Sequence, residues 1–85
     1  MKATISKVTK SQSKLTSGTA YMVCFRCDDG KSRVSWIDSE YRNFSHWKEL
    51  LVKGFLVEGT ELDGLVANKT GITADSYPKL IKRIE

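Results

Sequence analysis

The dipeptide Asp29-Gly30 constrains this chain more than any other feature. It lies between two stretches rich in β-branched and aromatic residues, "TAYMVCFRC" (Thr19 to Cys27) and "KSRVSWID" (Lys31 to Asp38). Asp-Gly is a strong hairpin signal, because a two-residue turn of type I′ needs positive φ at both central positions. Folded there, the chain sets Asp28 against Lys31, Cys27 against Ser32 and Arg26 against Arg33. One face then carries Phe25 with Val34 and Val23 with Trp36, with Tyr21 next along. The other carries Arg26 with Arg33, Cys24 with Ser35 and Met22 with Ile37. A one-residue slip mixes the faces, so this register places Phe25 and Trp36 in the core and Met22 and Ile37 outside. It also sets two like charges opposite each other, which destabilises a strand pair.

The rest of the chain reads as one small domain, residues 1–85, with room for a single modest core. "KATISKVTK" (Lys2 to Lys10) is a strand in which Ile5 and Val8 break the period of two, so a bulge or bend is expected between them. "SQSKLTSG" (Ser11 to Gly18) is a polar loop. "SEYRNFSHWKELLVKG" changes period: Phe44, Trp47, Leu50 and Leu51 recur at helical spacing. Asn43 or Ser45 serves as N-cap and Gly54 as the stop, giving an amphipathic helix of about three turns. Its Trp and Phe stripe faces the core, and His46 faces solvent. "LDGLVA" (Leu62 to Ala67) is a strand, "NKTG" (Asn68 to Gly71) a turn and "ITA" the start of a return strand, which Pro78 interrupts. Lys79 to Ile84 fits a strand and a terminal helical turn equally well.

Composition narrows the function classes. The chain is 28% charged with a net charge of +4, which favours an anionic partner. The longest apolar run, Ala20 to Phe25, is far too short to span a membrane. The N-terminal sequence lacks the apolar stretch of a signal peptide, so a cytoplasmic protein is expected. Cys24 and Cys27 form "CFRC", but in a strand residues three apart point to opposite faces. Two reduced thiols are expected rather than a redox pair or half a zinc site, since His46 is the only histidine. No nucleophile–base pair, phosphate-cradling glycine loop or metal-ligating cluster stands at a recognisable spacing, so neither catalysis, a metal nor a cofactor is expected.

The order strand, strand, strand, helix, strand, strand, with a bend in the first strand and a glycine at the helix exit, resembles the OB-fold. The stretch "TSGTAYMVCFRCDDGKSRVSWI" looks like the second and third strands of small OB-fold domains related to single-stranded DNA-binding proteins. The expected fold is therefore mainly β with one short helix, a five-stranded OB-like barrel. An SH3-like barrel and a small α+β sheet are the alternatives. The resemblance implies a ligand face on strands two and three, flanked by the loops between strands one and two and strands four and five. Those positions hold Arg26, Arg33 and Lys31, with Lys10 and Lys14 at the first loop and Lys69 in the last turn. A phosphate between Arg26 and Arg33 would relieve their repulsion; otherwise the two splay into solvent, with Asp28 nearby. Tyr41 and Tyr77, and Tyr21 at the strand edge, are the aromatics left to stack on bases. The implied function is non-catalytic binding of single-stranded DNA or RNA. The competing reading is a protein-interaction or homodimerising module that uses a sheet edge with Met22 and Ile37.

Overall fold

The computed structural model describes residues 1–14, 17–40, 44–68, 71–73 and 76–82. Strands β1 (Ala3–Gln12), β2 (Thr19–Cys27) and β3 (Ser32–Asp38) are followed by the helix α1 (Ser45–Val52). Then come β4 (Glu61–Asp63), β5 (Ala67–Asn68), β6 (Gly71–Ile72) and β7 (Lys79–Lys82). The protein is thus mainly β with one short helix. Five strands form a curled antiparallel half-barrel in the order β3-β2-β1-β4-β7, and β5 and β6 form a separate pair.

The hairpin between β2 and β3 forms at the expected place, with one residue more in its loop. The Gly30 N–H donates to the Cys27 carbonyl at 3.0 Å, and the Cys27 N–H donates to the Lys31 carbonyl at 2.8 Å. Gly30 has φ 85°. This is a β-turn followed by a left-handed glycine, the three-residue hairpin loop rather than the two-residue one. The pairing becomes Arg26 with Ser32, Phe25 with Arg33, Cys24 with Val34, Val23 with Ser35, Met22 with Trp36 and Tyr21 with Ile37. The register expected from a type I′ turn is therefore displaced by one, and every β3 side chain lies on the other face. Ile37 is 1% exposed in the core, whereas Trp36 is 63% exposed on the outside. Arg26 and Arg33 do not oppose each other at all.

β1 turns a corner where Ile5 and Val8 fall out of step. Its pairing with β2 shifts between Ile5 and Lys7, and Ser6 Oγ donates to the Cys24 carbonyl at 3.2 Å. The bulge keeps both Ile5 and Val8 on the inner side, opposite Phe25 and Val23. Before the bend β1 also pairs with β4, Ala3 with Leu62 and Thr4 with Glu61. Ile5 extends that contact, donating to the Thr60 carbonyl at 2.9 Å and accepting from Gly59 N–H at 2.8 Å. β4 in turn pairs with β7, which settles Lys79 to Lys82 as strand. The strand expected from Leu62 to Ala67 is broken at Gly64, where φ is 77°.

α1 is shorter than the expected three turns, and Phe44 rather than Asn43 or Ser45 occupies its N-cap, without a side-chain cap bond. Asn43 lies outside the described residues. Gly54 ends the helix with φ 75° and donates to the Leu51 carbonyl at 3.1 Å. Trp47 is fully buried, its ring centroid 6.3 Å from that of Phe25, and Phe44 stacks on Tyr21 at 6.5 Å. The helix thus supplies the large core aromatic, and small Ser35 suffices opposite Val23. Leu50, Leu56, Leu62, Leu65 and Ile72 complete the cluster.

β6 lies against β3, with buried Gly71 over the Val34 backbone, where a Cβ would run into the Val34 carbonyl. Gly30 by contrast has open space around it. Two substitutions should separate conformational cost from steric cost. Gly30→Ala should cost about 1 kcal/mol, the penalty of a left-handed alanine. Gly71→Ala should cost at least about 2 kcal/mol, because backbone must also move. Urea unfolding midpoints measure both, and equal losses would contradict the close approach of β6 to β3.

Candidate functional site

With the observed register, side chains of β1, β2 and β3 alternate between the core and one open outer face. Cross-strand rows on that face are Thr9–Met22–Trp36, then Lys7–Cys24–Val34, then Thr4–Arg26–Ser32. Met22, Cys24 and Val34 are half-buried and form an apolar floor beside the exposed Trp36 indole. Lys7 and Arg26 are exposed, and neither side chain makes a hydrogen bond or ion pair among the described residues. The face therefore combines one large aromatic, a sulfur and aliphatic floor, and two uncommitted cations.

Arg33 is not part of it. Its Nη1 donates to Asp29 Oδ1 at 3.0 Å and its Nη2 to Asp29 Oδ2 at 2.8 Å, a bidentate pair. Asp29 Oδ1 also accepts from the Lys31 N–H at 3.0 Å, the side-chain bond of an Asx-turn. These contacts hold the Asp29 carboxyl at about 2, well below its ordinary 3.8; the guanidinium contributes most and the Lys31 N–H next. The Arg33 guanidinium is raised further by the same bond. Arg33 is thus a brace on the turn.

The other expected site residues separate. Lys31 is exposed beside the turn, and Lys14 is exposed in the β1–β2 connection. Next to that connection lies a hollow of about 490 Å³ lined by Lys10, Ser11, Gln12, Ser17, Gly18 and Thr19. Tyr77 is 68% exposed, but its ring stacks on His46 of α1 at 4.1 Å and 29°. That contact half-buries His46 instead of leaving it in solvent, and ties Tyr77 to the helix. Tyr41 and Lys69 lie outside the described residues. Cys27 is buried and Cys24 half-buried on the outer face, both as free thiols.

Trp36 and Val34, both expected in the core, and Lys7, not singled out, are members of this face that sequence reasoning missed. The signal for Trp36 was present in "CDDG", since Gly at the third loop position suits the three-residue hairpin as well as Asp-Gly suits the shorter one. Beyond Arg26 the face runs into a shallow groove of about 360 Å³ lined by Lys2, Thr4, Arg26, Asp28, Glu61 and Ile81. Among the described residues no helix is long and apolar enough to cross a membrane.

No protein-family model matches the chain, and comparisons with curated proteins and with solved structures find no significant match.

The Asp29 clamp gives a pH dependence with a fixed sign. A carboxyl lowered by folding stabilises the folded state above its unfolded value, and that contribution disappears as pH falls through the folded value. The window therefore runs from 3.8 down to about 2. NMR titration of Asp29 should give a midpoint near the lower end. Asp29→Asn should flatten the dependence of stability on pH across that window. An Asp29 midpoint at the ordinary value would show that the clamp is not closed in solution.

Proposed function

We propose that the protein is a non-catalytic binding domain for single-stranded nucleic acid, of OB type. In this reading β4 with β5 and β6 with β7 are two interrupted barrel strands, and the approach of Gly71 to Val34 is the closing contact. The observation that carries the function is Trp36, 63% exposed on the edge strand β3 beside Met22. It shares that face with Lys7 and Arg26, whose side chains make no hydrogen bond or ion pair among the described residues. Every base has a π-face, so a single indole binds without regard to sequence, each stacked base being worth about 1–3 kcal/mol. Arg26 and Lys7 supply phosphate contacts, Lys31 adds positive field at one end of the face, and Arg33 holds the turn that places them.

The competing protein-interaction reading changes place. Ile37 is buried, so it forms no outer patch with Met22. The exposed apolar residues on the edge strands are instead Trp36 on β3 and Leu80 and Ile81 on β7. Salt distinguishes the two readings, because phosphate binding weakens with salt and apolar association does not.

The test is fluorescence anisotropy of a labelled oligo-dT strand titrated with protein over a salt series. Trp36→Ala should weaken binding about tenfold, within the range of one lost stack. Arg26→Ala should reduce the slope of log K against log salt by about 0.7, one phosphate contact on a single strand. Unchanged affinity in Trp36→Ala, or no binding by the intact protein at low salt, would refute the proposal.

A further inference from the structure

The groove at the end of the outer face has a chemistry distinct from that around Trp36. Met22, opposite Trp36, stands four residues from Arg26 along β2, about 13 Å at strand spacing. A strand lying on the indole and continuing along β2 therefore reaches the groove within a few nucleotides. There the cross-strand row reads Ser32, Arg26, Thr4, Glu61, in register on neighbouring strands. Arg26 and Glu61 are separated by the width of β1, about 9–10 Å for two strand spacings. The two side chains form no ion pair with each other, and the spacing leaves room above Thr4 for a flat ring.

The lining is mixed. Asp28 and Glu61 are carboxylates whose side chains make no hydrogen bond or ion pair among the described residues. When ionised they only accept hydrogen bonds. Lys2 and Arg26 only donate, Thr4 does either, and Ile81, 48% exposed, provides an apolar wall. The acids make the groove unsuited to a bare phosphate. Glu61 faces Arg26 across Thr4, an acceptor opposite a donor with a hydroxyl between them. That row matches the edge of a base that carries an amino group beside ring acceptors. Asp28 is a second acceptor on the Arg26 side.

We infer that this groove is a base-reading subsite for nucleobases with an exocyclic amino group, cytosine foremost; the inference rests on the nucleic-acid reading above. The N4 amino group of cytosine donates to Glu61 or Asp28, the known pairing of carboxylate with cytosine. Its ring acceptors face Arg26, Lys2 or the Thr4 hydroxyl. Uracil and thymine turn a carbonyl oxygen toward the same carboxylates, where two acceptors repel. Trp36 thus provides affinity without sequence, and the groove adds a preference at a neighbouring position.

The experiment compares deoxycytidine and deoxyuridine oligomers of equal length, bound to the full chain at neutral pH. The two carry the same phosphates and differ on one base edge, where cytosine has an amino group beside an acceptor ring nitrogen and uracil has a carbonyl beside a ring N–H. The deoxycytidine oligomer should bind about fivefold to tenfold more tightly, the low end of a carboxylate–cytosine contact. Glu61→Gln keeps the shape and adds an amide donor, so the preference should fall toward one through a gain for deoxyuridine. Trp36→Ala should weaken both oligomers alike and leave the ratio intact. Equal binding of the two oligomers to the intact protein overturns the subsite and leaves the stacking face standing. A preference that survives both Glu61→Gln and Asp28→Asn also overturns it. Failure of both oligomers to bind would refute both proposals.

Discussion

Everything on the outer face depends on where Gly30 sits in its turn. The left-handed glycine adds one residue to the loop, and the strand that leaves it is displaced by one pleat. Asp29 fixes this arrangement from two sides, capping the Lys31 amide and gripping the Arg33 guanidinium. Two short contacts at one end of a ribbon thus decide which face of a seven-residue strand meets water. Arginine is suited to the task because its planar fork matches a carboxylate at two points, which a lysine cannot do.

The core accepts the displaced register because the helix offers what β3 withholds. Trp47 enters from α1 against Phe25, so the sheet needs only Ser35 and Ile37 from β3. With Trp36 inside, two indoles would share a core built from a few aliphatic residues, and overfilled interiors cost stability as surely as cavities do. The bend in β1 serves the same economy of space. It keeps Ile5 and Val8 both inward while letting one strand pair on both of its edges.

Much of this was legible in the residues. Each interruption in the hydrophobic period marked a real change of direction: the bulge between Ile5 and Lys7, the hairpin near Gly30, the helix stop at Gly54. The limits of β2 also followed from its β-branched and aromatic run. The failure came at the turn, where two hairpin loops compete for the same Asp-Gly and differ by one residue. Pattern alone did not separate them, because Val34 and Trp36 alternate with Ser35 and Ile37 in a strand that offers apolar residues to either face. The deciding contact joins Asp29 to Arg33, and only a side chain reaching across the turn reveals it. The same displacement runs through the candidate site: Arg26 lies on the outer face but beside Ser32 rather than Arg33, and Trp36 lies outside rather than in the core.

The two tryptophans of the chain stand in opposite surroundings. Trp47 has no exposed surface and Trp36 has most of its ring in water. Indole emission shifts to longer wavelength with hydration, so the protein carries two intrinsic probes of separable colour. One belongs to the core and changes only when the helix leaves the sheet. The other lies on the open face, accessible to a dissolved quencher while the fold stays intact. Occupancy of the face and integrity of the fold can thus be followed in one unlabelled sample.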